Sequence, residues 1–320
     1  MHPTVCSRRK RPVSRRIFSI SSRSKPLRGA LVAGLAAAGA ALLLGPLAGC
    51  SSLDFWVANA PVSYSSLLRV PDLHYGEDSR QRLDVFSPKN AQGSPVVVFF
   101  YGGSWTMGRK SQYAFVGAAL AARGYVTVIP DYRLYPEVKF PAFVQDGAKA
   151  VAWVERHARE FGGDPDRIVL MGHSAGAHTA ALLALDGAYL EREGVSRHSI
   201  VGLIGLSGPY ALVPDSPTLH AIFTAPYTAH DWQPIHFASS DSPPTLLLHG
   251  MADKVVYVMH TEKMRDALLS HGAQVETHLY PKRGHADTIA SFSPIASWRT
   301  PALDQTVEFL QHITEPAAPQ

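Results

Sequence analysis

Three uninterrupted apolar runs, PVVVFFY from Pro95, RIVLMG from Arg167 and TLLLHG from Thr245, constrain the fold of this chain more than any other feature. A strand with one wet face alternates polar and apolar residues, whereas a strand with no alternation is covered on both faces. Helices above and below a parallel sheet supply that cover. Helical patterns do separate the runs, at about residues 111–123, 141–161, 175–185, 258–271 and 302–313. The segments RLDVFSP, YVTVIPDYRL, IVGLIGLSG and VETHLY read as further strands. The fold class is therefore α/β, with a mostly parallel, doubly wound sheet and helices on both faces. The irregular, Pro-rich residues 209–244 form a short cap. In such sheets ligands sit outside the carboxyl ends of the strands, so the residues just after each apolar run are the ones to inspect.

After RIVLM comes Gly172-His173-Ser174-Ala175-Gly176, a Gly-x-Ser-x-Gly at a strand-to-helix junction. This is the context of a nucleophile elbow: the turn is sharp enough to lift the Ser oxygen above the sheet, and side chains two positions either side would collide with neighbouring backbone. The helix that follows aims its N–H groups at the place where negative charge develops in acyl transfer. The partners of such a Ser follow it in the order acid, then His, each after a later strand. Asp253 follows TLLLHG and His285 follows VETHLY, so both fall on the same sheet edge as Ser174. In these roles His285 is the general base and Asp253 orients it. Asp287 is an alternative acid, disfavoured because a residue two past the His rarely turns back to its ring. His173, His178 and His249 read as packing or loop residues. No pair of His residues has acidic neighbours at zinc-site spacing, so a metal hydrolase is not expected.

The loop after PVVVFF, Tyr101-Gly102-Gly103-Ser104-Trp105, lies where an oxyanion hole takes its second set of donors. The expected donors are the N–H groups of Gly103, Ser104 and Ala175. Trp105, Tyr135, Phe223 and Trp232 are candidates for an apolar substrate pocket; the alternative for aromatics in long loops is a small core of their own.

The formal charge of +4 invites a nucleic-acid reading until the cations are located. Nine of the 30 Lys and Arg precede residue 50, where there is no acid, leaving 21 basic residues against 26 acidic in the remainder. A folded part that is acidic overall has no basic face for phosphates, so nucleic acid is excluded as a partner. The basic front is followed by the uncharged stretch GALVAGLAAAGAALLLGPLAG and then Cys50, the layout of an export signal. Leu47-Ala48-Gly49-Cys50 resembles a bacterial lipobox, which implies residues 1–49 as a signal peptide, lipidation at Cys50 and a membrane anchor. Ser51 after the Cys, with no Asp there, points to the outer membrane of a Gram-negative cell. The 21-residue apolar stretch is also long enough to span a bilayer uncut. SRRIFSI from Ser14 resembles a twin-arginine motif, and the export route stays open between that and the general one. Residues 50–75, with Pro61, Pro71 and a Ser-rich patch, read as a lipidated tether, and 76–320 as the catalytic domain. The two cysteines are Cys6 and Cys50, so an exported mature domain carries no disulfide, and about 270 residues suffice for a core without one.

YGGSW, DYRLYPEVKFPAFVQD, FGGDPDRIVLMGHSAGAH, HGMADKVV and RGHAD together resemble the esterase and lipase branch of the α/β-hydrolase superfamily that carries HGGG-type loops. Within it they are similar to bacterial carboxylesterases that resemble isoprenylcysteine methylesterase. The resemblance implies cofactor-free hydrolysis of carboxylic esters, with Ser174, Asp253 and His285 as the triad, and the short cap argues for small or medium esters over long triglycerides. Two positions depart from the HGGG pattern: Tyr101 stands for the His and Ser104 for the third Gly. Other readings of the same residues are an arylformamidase of the N-formylkynurenine type, an esterase acting on acylated polysaccharide, and a surface lipoprotein without catalysis. Oligomeric state does not follow from the sequence.

Overall fold

The structure, a computed structural model, describes residues 52–62 and 66–314. The expected signal peptide and the lipidation site at Cys50 lie outside the described residues. The described chain begins with α1 (Ser52–Asn59), β1 (Leu67–His74), β2 (Arg82–Pro88) and β3 (Ser94–Phe100). A 3-10 turn, Lys110–Tyr113, leads into α2 (Ala114–Ala121), β4 (Val126–Pro130) and α3 (Ala142–His157). Next come β5 (Gly163–His173), α4 (Ala175–Leu185), α5 (Gly187–Arg192) and β6 (Ile200–Leu206). The cap carries α6 (Pro217–Ile222) and α7 (Ala229–Trp232), and the domain closes with β7 (Thr245–Gly250), α8 (Met259–Ser270), β8 (Val275–Tyr280), α9 (Asp287–Ala290) and α10 (Ala302–Thr314).

The strands form a sheet of eight in the order β1-β2-β4-β3-β5-β6-β7-β8. β1 and β2 pair antiparallel at one edge, and from β4 onward every pairing is parallel. The apolar runs behave as a doubly covered sheet requires: Val96 to Phe100 are fully buried, as are Ile168 to Met171 and Leu246 to Leu248. Both faces are close-packed. Gly147 of α3 lies where a Cβ would press on Phe100 and Leu183, and Gly202 of β6 lies where one would meet Ile313 of α10. Parallel pairing brings the carboxyl ends of β3, β5, β7 and β8 to one edge, and with them the loops that hold Gly103, Ser174, Asp253 and His285.

The structure differs from the sequence reading at the front. Most of the expected tether is folded: α1 docks on the domain, with Asn59 Nδ2–H donating to Gln112 O at 2.8 Å, Phe115 N–H donating to Asn59 Oδ1 at 2.9 Å, and Ser293 Oγ–H donating to Ala58 O at 2.8 Å. β1 pairs with β2 from Leu67↔Pro88 to His74↔Arg82. The domain thus begins well before residue 76. The pattern hides β1 because an edge strand is largely exposed and therefore has no apolar run. Charge holds it instead: Asp84 of β2 takes Arg69 at 3.0 Å and the buried Lys110 at 2.6 Å, and Lys110 also takes Asp72 at 2.5 Å. The segment FGGDP joins α3 to β5. Gly162 makes the turn, and Gly163 already pairs with Ser94 as part of β5.

Candidate active site

β5 runs straight into the elbow. Ser174 has φ 54° and ψ −124°, a strained left-handed conformation for a side-chain-bearing residue. Its N–H donates to Leu206 O at 2.9 Å, which pins the strained residue to β6. The glycines are required by contact: a Cβ on Gly172 would stand 2.2 Å from Gly176 O, and one on Gly176 would stand 2.0 Å from Phe100 O. Ser174 is buried, with 8% of its surface exposed.

The loops after β7 and β8 bring Asp253 and His285 together, with His285 Nδ1–H donating to Asp253 Oδ2 at 2.7 Å. Of the two acids considered, Asp253 is therefore the one that reaches the ring. Its other oxygen, Oδ1, accepts the N–H groups of Val255 and Val256 at 2.8 and 2.9 Å, and Oδ2 also faces His249 Nε2 at 3.2 Å. Burial alone would raise the Asp253 carboxyl, but these bonds from His249, His285 and the backbone outweigh it and hold the group far below the usual carboxylate range. Asp253 thus stays charged wherever His285 can act as a base. Asp287 anchors the loop instead: Oδ2 accepts Gly284 N–H at 2.7 Å, and Oδ1 pairs with Arg299.

Two histidines read as packing residues from sequence touch this machinery. His173 donates from Nε2 to His285 O at 3.1 Å, and the two rings pack with centroids 4.8 Å apart. Burial, then the neighbouring His285, pushes the His173 imidazole down to about 3, so it stays neutral and keeps its single N–H on that carbonyl. His249 is fully buried; its Nδ1 accepts from Thr261 Oγ at 2.7 Å while Nε2–H is shared between Val256 O and Asp253. The one sequence signal for it is its place four residues before Asp253 at the end of β7.

The loop Tyr101–Trp105 packs against the elbow, with a Cβ on Gly102 only 3.0 Å from Ser174 Cβ. Gly103, Ser104 and Trp105 all have positive φ, and Thr106 and Met107 turn back to donate to Gly103 O at 3.0 and 3.1 Å. The N–H groups of Gly103, Ser104 and Ala175 have no hydrogen-bond partner among the described residues, so all three expected donors are free to serve an oxyanion. Tyr101, which replaces the usual His, is built in as support. Its ring stacks on Tyr132 at 4.8 Å and on Tyr113 at 5.5 Å, its hydroxyl donates to Asp131 at 2.6 Å, and Arg80 donates to it at 3.0 Å. Tyr132 Oη–H completes the brace by donating to Tyr101 O at 2.6 Å.

The candidate pocket residues are gathered but packed. Trp105 meets Phe223 at 4.8 Å, and Phe223 meets Trp232 at 5.6 Å; all three are buried, with Phe140, Phe143 and His178 among them. Tyr135 is half-buried at the edge, its N–H on Trp105 O at 2.8 Å. As a group these aromatics are a small core beside the site. Among the described residues no group of three or more His, Cys, Asp or Glu could hold a metal ion.

Sheet order, elbow, oxyanion loop and the strand-end Asp and His together define an α/β-hydrolase of the esterase and lipase branch. The chain belongs to the BD-FAE family, whose model matches residues 83–268, a span that includes Ser174 and Asp253. It is similar to isoprenylcysteine alpha-carbonyl methylesterase of Arabidopsis thaliana, 34% identical over 67% of this chain and 55% of that one. It is similar also to esterase LipC of Mycobacterium tuberculosis, 31% identical over 66% of this chain and 58% of that one. The chain thus spans little more than half the length of these two relatives. Among solved structures, esterase B from Lactobacillus rhamnosis superposes with a TM-score of 0.69 at 19% identity, covering 89% of this chain and 96% of that one.

Proposed function

We propose that this chain is a serine-dependent carboxylic ester hydrolase that works through an acyl-enzyme. Ser174 Oγ attacks the ester carbonyl carbon while His285 Nε2 takes its proton, and Asp253 stabilises the imidazolium that forms. The oxyanion rests on the N–H groups of Gly103, Ser104 and Ala175. Collapse of the intermediate releases the alcohol, which leaves with the proton from His285, and water then attacks the acyl-enzyme by the same route in reverse. The observation that carries this reading is the 2.7 Å bond from His285 Nδ1 to Asp253 on the edge where Ser174 is held in its strained turn. That bond fixes the tautomer with a free Nε2, which is the atom a general base needs. The relatives named for ester hydrolysis in Arabidopsis and Mycobacterium support the same bond class.

The packed aromatics around Trp105 and Phe223 favour short acyl groups. The leader layout ending at Cys50 favours export and a lipid anchor, at the outer membrane of a Gram-negative cell. The test is hydrolysis of p-nitrophenyl esters from acetate to decanoate by the protein and by Ser174→Ala. The parent is expected to prefer the short esters, and Ser174→Ala to lose at least about three orders of magnitude in kcat. Equal turnover by both would remove Ser174 from the mechanism. No turnover by a folded parent would turn attention to N-formylkynurenine and then to a binding role.

A further inference from the structure

α1 is apolar on the side that faces water as well as on the side that faces the domain. Its inner side carries Phe55, which packs on Tyr113 at 4.9 Å, together with Ala58 and Asn59, which hydrogen-bond the domain. Its outer side presents Leu53, 60% exposed, and Trp56, 65% exposed, three residues apart and so on one face. The segments that hold α1 belong to the active-site edge. Gln112 and Phe115 follow the oxyanion loop, and Ser293 follows His285 and α9. Those same two segments carry further exposed apolar side chains: Met107 at 63% beside Gly103, and Ile295 at 43% and Trp298 at 58% beyond Ser293. Single exposed apolar residues are ordinary; five of them on α1 and the two segments hydrogen-bonded to it are not.

We infer that α1 and these two loops form a face that lies in the surface of a lipid bilayer, so that the site takes amphiphilic esters presented there. The inference rests on the proposed ester hydrolysis for its substrate class. For its occupant it rests on the apolar stretch of residues 29–49, which ends three residues before α1 begins at Ser52. Either reading of that stretch ties α1 to hydrocarbon along the chain, through acyl chains on Cys50 once the stretch is cut away or through the stretch itself left as a span. Trp suits the headgroup zone, where its ring is buried and its N–H stays wet. The Arg283 guanidinium over the Trp298 ring, 5.6 Å from its centroid, suits a surface of anionic lipid phosphates.

The experiment uses the full chain in phosphatidylethanolamine–phosphatidylglycerol vesicles containing lipid brominated on its acyl chains, beside Trp56→Phe and a Leu53→Gln, Trp56→Gln double variant. The fluorescence that Trp56→Phe removes is expected to be quenched by brominated lipid and shielded from aqueous iodide. The double variant is expected to hydrolyse p-nitrophenyl acetate within about twofold of the parent, and to lose about threefold or more on an acetate ester of a long-chain alcohol embedded in the vesicles, whose short acyl group enters the site while its alkyl chain stays in the bilayer. Quenching of the Trp56 signal by iodide alone, or a full chain that stays out of the vesicle fraction, overturns the bilayer face. Unchanged turnover of the embedded ester overturns its part in substrate delivery. A parent inert on both esters sinks the hydrolase reading instead, and the quenching still decides the bilayer face.

Discussion

His173 sits between the nucleophile and the base without the chemistry of either. Its one N–H goes to the backbone carbonyl of His285, and its ring lies on the His285 ring, so it ties the elbow to the loop that carries the base. A Gln at 173 keeps an N–H near that carbonyl, whereas a Leu leaves the carbonyl buried without it. His173→Leu is expected to lower kcat about tenfold with KM within about twofold, and His173→Gln to regain most of the loss. Steady-state kinetics on p-nitrophenyl acetate read both numbers; equal losses in the two variants would mean that ring volume, not the hydrogen bond, is what matters. The proposed triad is legible in the sequence because Ser174 and Asp253 follow apolar strands and His285 follows the strand VETHLY, and chain order then assigns the roles. His173 and His249 were not readable. Among 15 histidines, a bond to a main-chain oxygen leaves no mark in the sequence.

At the scale of elements, the strands buried on both faces announced themselves and the exposed edge strand β1 did not. β3, β7 and the second half of β5 are apolar runs, while β1 is exposed along most of its length and is held by Arg69, Asp72, Asp84 and Lys110. α1 is short and keeps its apolar residues on both sides, so no single stripe identifies it as an element of the domain. The oxyanion loop shows the same limit. Tyr101 departs from the expected His, and the partners that replace that support, Arg80, Asp131 and Tyr132, come from two other places in the chain. Burial pushes the Asp131 carboxyl up, against the Tyr101 hydroxyl, the Lys110 N–H and Arg80, which favour its charge. Tyr101→Phe keeps the stacking but takes one donor from Asp131 and one acceptor from Arg80. It is expected to cost about 1–2 kcal/mol in urea unfolding and to lower kcat several-fold while KM holds, because Gly103 and Ser104 lose a brace and the ester loses no contact. A stability loss with unchanged kcat would detach Tyr101 from the oxyanion loop.

The whole molecule carries several imidazoles that folding keeps neutral. Burial is the largest cause for His178, lowered to about 4, for His260, lowered to about 4, and for His173, lowered to about 3. Their contacts agree with the neutral form: His178 donates from Nε2 to Trp232 O at 2.6 Å, and His260 Nδ1 accepts the N–H of Ala211 at 3.2 Å. An unfolded chain takes up a proton at each near pH 6.5, where the folded chain does not. More protons on the unfolded side mean that stability rises with pH. Stability is therefore complete above about pH 6.5, falls as pH drops toward 4, and stops falling from this source once the folded imidazoles also charge. Asp253 acts in the same direction at lower pH. Its carboxyl is held down in the fold, so the unfolded chain protonates first near pH 4 and the stability it contributes is lost below that. Each such histidine steepens the slope by up to about 1.4 kcal/mol per pH unit between the two values. Urea midpoints at pH 7.5, 6, 5 and 4.5 are expected to fall in step through that window. His178→Gln, which keeps a donor for Trp232 O and removes one titrating group, is expected to be less stable at pH 7.5 and to show a shallower slope below pH 6.5. Parallel profiles for parent and variant would mean that His178 titrates alike in both states and that its burial is no source of acid lability.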